Sequence, residues 1–285
     1  MIEKYEFIPI RRILVPLDNS PESLAVVELA ACMASVMRSE LSALFIEEQE
    51  LFTLAKLPFS REVSIVHSTV RNLDSGRLER EMREQAATMQ KTVARIALRH
   101  QIGWSFKTVR GKRETEIATQ AKARDLIAVS RGHRPDKSRS EPDAGIEFQS
   151  GRGGSGVLLI NDSLSFRKGP VTVLFDGSAA SIQALQLAAN IAHADAMQLQ
   201  ILVQEDDAAT LEKRRQLFHD VLDKRPLPGP RLVTGVEVPA AIQSLFHRER
   251  GLVVLAAGVS MLYEQQFEIL LKRARCPVIL LKSAG

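Results

Sequence analysis

Apolar residues in this chain follow two rhythms, and the places where one gives way to the other predict its elements. Ile13, Leu14 and Val15 form a short run with β-branched members, the signature of a buried strand. The polar stretch from Pro16 to Ser23 (PLDNSPES) follows, in which Ser20 suits a helix N-cap and Pro21 the first helical position. Leu24, Val27, Ala31 and Ala34 then recur at helical spacing, and the helix is expected to end near Ser39. Leu41 to Ile46 (LSALFI) is a second buried strand. A strand, a helix and a parallel strand make a βαβ unit.

The rhythm changes again at Gly76, from which Leu78, Met82, Met89, Val93 and Ile96 mark one face of a long amphipathic helix ending at His100. Phe106, Thr108 and Arg110 lie in a third strand closing at Gly111, Glu114 to Lys122 is a short helix, and Leu126 to Val129 is a fourth strand. From Arg131 to Gly156 periodicity dissolves into Gly, Pro, Ser and charge, an insertion or loop, and Val157 to Ile160 supplies a last strand.

The plan then repeats more compactly. Strands are predicted at Val171–Phe175, Leu199–Val203, Arg231–Val236, Leu252–Ala256 and Val278–Leu281. Helices are predicted at Ser181–His193, Ala208–Leu222, Ala240–Arg248 and Gln265–Ala274. The repetition reaches individual residues. Asp18, Ser20, Leu29, Ala30, Ala31 and Ala34 are matched by Asp176, Ser178, Leu187, Ala188, Ala189 and Ala192, at a constant offset of 176 − 18 = 158 residues. An offset about one domain long indicates duplication, so residues 1–165 and 166–285 are read as two domains, with an insertion at 131–156 in the first. Alternating strands and helices imply two tandem α/β domains, each a doubly wound parallel sheet.

Composition narrows the function. The 285 residues are 45% apolar and 25% charged, ordinary values for a globular chain that needs no staples. The longest nearly apolar stretch, Leu24 to Met37, is shorter than the roughly 20 residues that span a bilayer. The N-terminus has no secretory pattern, so no membrane partner and a cytoplasmic location are expected. Cys32 and Cys276 show neither a disulfide framework nor metal-ligand spacing and read as small core residues. A net charge of +4 is modest, and its lysines and arginines are interleaved with Asp and Glu without an aromatic platform, which argues against nucleic acid. The six histidines are scattered, and no nucleophile elbow is present, so no catalytic centre is predicted. The GRGGSG run, Gly151 to Gly156, precedes a strand, unlike a Walker loop, and reads as linker.

Candidate chemistry gathers where ligands of open α/β sheets bind, beyond the carboxyl ends of the strands. Asp18 and Asp176 fall there, one per copy. Each carboxylate either accepts hydrogen bonds from an adenine amino group or ribose hydroxyl, or caps its own helix.

The sequence ILVPLDNSPES, the following LSALFIEE, the strand exit DLIAVSRG and the late RARCPVILL together resemble the universal stress protein family in a tandem two-domain form. The resemblance covers nearly the whole chain apart from 131–156. It implies a Rossmann-like fold similar to that of the adenine nucleotide alpha hydrolases, with the two halves packed as an internal pseudo-dimer through their final strands. Nucleotide-binding members share a Gly-x2-Gly-x9-Gly-Ser/Thr loop after the fourth strand. Here Val129 stands at the first glycine, Gly132 keeps the second, and Pro142-Asp143 fall at the Gly-Ser pair. In the second copy Ala257-Gly258 begin a shortened loop and Glu264-Gln265 stand at that pair. On the adenine side the resemblance assigns Pro16, Leu17 and Asp18, with Ile46 as the apolar base contact. The second copy keeps Asp176 but has Leu174 at the proline position.

A carboxylate where phosphate would sit repels a triphosphate, and a proline there removes an amide donor. The expected function is therefore a non-enzymatic stress-response module that binds a protein partner of unknown identity, alone or as a homodimer. The alternative is a stress sensor that binds ATP in the first domain, with the basic stretch Arg131 to Arg139 over the phosphates.

Overall fold

The computed structural model describes residues 9–18, 21–57, 61–64, 69–72, 75–130, 156–160, 167–203, 207–222, 229–235, 237–258 and 274–282. In the first half, β1 (Arg12–Leu17), α1 (Pro21–Met37) and β2 (Glu40–Glu48) form the expected βαβ unit. They are followed by α2 (Gln49–Ala55), β3 (Arg61–Ser64), β4 (Thr69–Asn72), α3 (Ser75–His100), β5 (Trp104–Gly111), α4 (Arg113–Gln120), β6 (Asp125–Ser130) and β7 (Gly156–Ile160). The second half contains β8 (Val171–Leu174), α5 (Ala179–Ala194), β9 (Leu199–Val203), α6 (Ala208–Leu222), β10 (Arg231–Thr234), α7 (Glu237–His247), β11 (Leu252–Ala256) and β12 (Val278–Leu281). The expected helix at Gln265–Ala274 apart from its last residue, the N-cap Ser20 and the boundary between residues 165 and 166 lie outside the described residues.

Ten strands form one sheet in the order β10-β9-β8-β11-β12-β7-β6-β1-β2-β5. Setting aside the separate β3–β4 hairpin, each half runs third, second, first, fourth, fifth. The chain therefore reverses direction between β1 and β6, and again between β8 and β11. All pairings within a half are parallel, as the buried apolar runs require.

The halves join where the resemblance implied, through their last strands. β7 and β12 pair antiparallel, with Val157 opposite Leu280 and Gly156 opposite Leu281. Gly156, read from sequence as the end of the linker, is instead the first residue of β7. A Cβ there would lie 2.5 Å from the Leu280 carbonyl oxygen, so only glycine allows the strands to close at this point. α1 and α5 touch across the seam.

The period of two along each strand builds two cores, one on each face of the sheet. Ile13, Val15, Leu17, Leu158, Ile160, Ile279 and Leu281 face α1, α3, α5 and α6. Leu14, Ile127, Val157, Leu159, Val278 and Leu280 face α4 and α7 through Ile117, Val238, Ile242 and Leu245. Both cores run unbroken from one half into the other. Leu24 departs from the expected stripe: it is 42% exposed, while Val27, Ala30, Ala31 and Ala34 fill the buried face of α1. Cys276 is buried in the second core and Cys32 is half-buried on α1. Burial, with Asp195 and Glu28 nearby, pushes the Cys32 thiol pKa up.

Candidate functional site

Because β7 and β12 run in opposite directions, the carboxyl ends of the two sets of parallel strands point to opposite edges of the sheet. Asp18 and Asp176 therefore belong to two separate crevices, which share no wall.

In the first half, Asp18 leaves β1 at the reversal point between β1 and β6. The Ser23 hydroxyl donates to Asp18 Oδ1 at 2.8 Å, and the Asp18 amide donates back to Ser23 Oγ at 3.2 Å, so the loop and the start of α1 hold each other. The other carboxylate oxygen, Oδ2, accepts from Nη1 of Arg113 at 3.2 Å. Nη2 of the same guanidinium donates to the Pro16 carbonyl at 3.3 Å. Arg113 is the first residue of α4. Sequence reasoning did not find it, because it lies 95 residues from its partner in a stretch without a motif. The signal that could have found it is a cation opening a helix, where the helix dipole disfavours positive charge and an acidic neighbour is needed.

The other residues assigned from sequence on this side lie in or beside the core. Pro16, Leu17 and Ile46 are buried, Leu17 wholly and Ile46 to 4% exposure beside Leu14, Leu44 and Ile117. Val129 is half-buried on β6 opposite Leu159. β1 lies between β2 and β6, so Pro16, Leu17, Asp18, Ile46 and Val129 come together at neighbouring strand ends. Gly132, Pro142 and Asp143 lie outside the described residues, as does the whole basic stretch Arg131 to Arg139.

Further ion pairs crowd the same edge. Arg110 at the end of β5 donates through Nε to Glu47 at 2.9 Å and approaches Glu79 of α3 at 3.8 Å. Its guanidinium also stacks over Phe52, 3.7 Å from the ring centre, which fixes α2 to the sheet. Glu116 folds its carboxylate against Gly111, where an added Cβ would meet Oε1 at 2.5 Å. At this edge Arg113 engages Asp18 and the Pro16 carbonyl, and Glu47 and Glu79 engage Arg110.

The second crevice is furnished differently. Asp176 accepts from the Ser178 amide at 3.0 Å, and Ser178 caps α5 by accepting from the Ser181 amide at 3.2 Å. The turn between them passes through Gly177 at φ +80°, with Arg214 of α6 3.8 Å from where its Cβ would lie. The first residue of the helix after the third strand, Arg113 in the first half, is Glu237 here. Gly258 is described, while Glu264-Gln265 are not.

Elsewhere, a groove between α1 and α3 is lined by Leu24, Met89, Glu81 and Gln85 and shares no residue with the predicted sites. Among the described residues, no three or more His, Cys, Asp and Glu side chains gather as metal ligands. Nor is any described helix long and apolar enough to cross a membrane.

No family model and no curated protein matches this sequence. Solved structures do. A universal stress protein from Archaeoglobus fulgidus DSM 4304 is similar at a TM-score of 0.65 and 19% identity, covering 96% of this chain and 99% of its own. A putative universal stress protein from Pseudomonas aeruginosa UCBPP-PA14 is similar at a TM-score of 0.52 and 18% identity over 96% of this chain and 93% of its own. The cytoplasmic domain of a prokaryotic cation chloride cotransporter aligns at a TM-score of 0.53 and 10% identity, with 95% coverage of each. The fold is thus the α/β, Rossmann-like fold of universal stress proteins, and the match spans both halves.

Proposed function

We propose that this chain is a stress-response regulatory module that works by binding a protein partner, without catalysing a reaction. Its two copies, 1–165 and 166–285, act as domains of one internal pseudo-dimer. The observation that supports this reading most is the occupied first crevice. Both Asp18 carboxylate oxygens and the Pro16 carbonyl, the acceptors a nucleotide base would need, already receive hydrogen bonds from Ser23 and Arg113. A ligand must displace an ion pair that is three-quarters buried before it gains a contact.

The residues at the phosphate side point the same way. Val129 brings a branched side chain where close backbone approach needs glycine. The test is incubation of the purified protein with ATP and magnesium, followed by calorimetric titration. The expected outcome is no ADP above background and a Kd weaker than about 1 mM, some −4 kcal/mol. Hydrolysis that disappears in Asp18→Asn would overturn the reading.

A further inference from the structure

We propose that the outer edge of β5 is a docking strand: it takes up an extended segment of a partner protein as an added strand, with an acidic residue opposite Lys107. This rests on the reading above that the chain works by binding a protein partner. It adds where the partner docks, in what conformation and with what charge.

β5 ends the ten-stranded sheet and pairs only with β2. The Leu41 amide donates to the Gly103 carbonyl at 2.9 Å, which fixes the parity of the strand. Ser105, Lys107 and Val109 therefore turn their backbone groups toward β2, while Trp104, Phe106, Thr108 and Arg110 turn theirs outward. Among the described residues, no backbone hydrogen bond reaches those outer groups.

Natural sheets blunt such an edge by shortening, bulging or covering it. The opposite edge obeys, since β10 has only four residues, of which Arg231 alone is exposed. β5 does none of these. It has eight residues, its register runs unbroken from Leu41 opposite Trp104 to Glu48 opposite Gly111, and Trp104, Ser105, Lys107, Thr108 and Arg110 are exposed. Trp104, the chain's single tryptophan, is 40% exposed and sets a large apolar surface beside the outward amides.

Charge selects the occupant. The two charged residues of the strand are both cations. Arg110 is held by Glu47 and Glu79, whereas Lys107 meets the Gln120 amide oxygen at 2.9 Å and no carboxylate among the described residues. A second copy of the chain is disfavoured. Antiparallel pairing through every outward residue would set Trp104 against Arg110, Phe106 against Thr108 and Lys107 against its own copy, and like charges directly opposite destabilise. An incoming strand with Asp or Glu at that place gains the backbone ladder and an ion pair together.

The probes are two short synthetic peptides, one alternating valine with glutamate and one alternating valine with lysine, titrated into the full chain and followed by Trp104 fluorescence. The glutamate peptide should bind at least about tenfold tighter than the lysine peptide, and Lys107→Glu should reverse that preference. Thr108→Pro removes an outward N–H without touching the ladder to β2, so it should keep the urea midpoint and weaken the glutamate peptide at least about tenfold. If Thr108→Pro does not fold, the Lys107→Glu reversal decides. Equal affinity for the two peptides, binding of neither, or a preference that Lys107→Glu leaves unchanged overturns the docking strand, as does glutamate-peptide binding that a folded Thr108→Pro retains. A sedimenting dimer of the chain that is lost in Thr108→Pro gives the edge to a second copy and also overturns the proposal. None of these results touches the wider partner-binding reading, which falls to the ATP hydrolysis described above.

Discussion

The two halves share a strand order and a two-faced core but not the residues at the strand ends, and the difference separates what sets the fold from what sets function. Along β1 and β8, Leu14 and Thr172 occupy equivalent positions. Beside them, Ser42 and Gln200 hold the same register on the second strand of each half. The first half closes this end with Arg12, whose Nε donates to the buried Asp125 at 3.1 Å and whose Nη2 reaches both Asp125 and the Gln120 carbonyl. The second closes it with Arg248, which reaches under α7 to Thr172 at 3.0 Å and Gln200 at 3.3 Å. At the opposite end, the first half pairs Asp18 with Arg113, while the second turns Asp176 onto Ser178. Apolar alternation tolerates both solutions because each strand presents the same faces to the same layers. Strand-end polar residues are free to diverge, and there the copies have acquired different chemistry.

The comparison breaks most severely at the seam the halves share. Gly156→Val drives a branched side chain into the Leu280 carbonyl and should destabilise the chain by about 3 kcal/mol or more in urea unfolding, with hydrogen-exchange protection lost in both β7 and β12. A loss confined to one half would mean that the halves do not depend on the shared pairing. Arg12→Met leaves the Asp125 carboxylate, 4% exposed, with the Lys122 amide at 2.7 Å but without its cation, and should cost about 3 kcal/mol. Arg248→Met in the second half leaves neutral Thr172 and Gln200, which still bond to each other at 3.3 Å, so its cost should be smaller, about 1–2 kcal/mol. Equal losses would remove the distinction between an ionic and a neutral closure. Arg113→Gln should change stability by about 1 kcal/mol, since the loss of its three-quarters-buried pair with Asp18 is offset by removal of a cation that opposes the helix dipole.

The smallest effect concerns Asp207, which caps α6 by accepting from the Thr210 hydroxyl at 2.6 Å and amide at 2.9 Å. These bonds hold its pKa below the ordinary aspartate value of 3.8. A carboxylate depressed on folding stabilises above the unfolded value, and that contribution is lost as pH falls through the folded one. Asp207→Ala should therefore narrow the difference in stability between pH 6 and strongly acidic solution only below about pH 4, read by urea midpoints.

Much of this architecture was legible in the chain. β1, α1 and β2, and β8, α5 and β9, were visible because buried parallel strands are continuous apolar runs, and the helices between them carry small residues at helical spacing. α2 and the β3–β4 hairpin were not read, since residues 49–72 hold no sustained period and α2 is fixed to the sheet by Phe52 under Arg110. Leu24 misled because helical spacing alone does not say how far a buried stripe extends. Asp18 and Asp176 were found through their place after the first strand of each copy. Arg113 was not, because pairing across 95 residues is made by the fold and leaves no local pattern. Gly156 looked like linker because the approach of Leu280 exists only once the halves meet.

The most direct test of the contrast between the halves is arginine side-chain NMR on the nitrogen-15-labelled protein, with Arg113 assigned from the spectrum of Arg113→Gln. If Arg113 is held by Asp18 and Pro16, its guanidinium protons should exchange slowly with water and its Nη signals should split. Both features should vanish in Asp18→Asn. A guanidinium that exchanges as fast as the exposed Arg83, unaltered by Asp18→Asn, would contradict the closed first crevice.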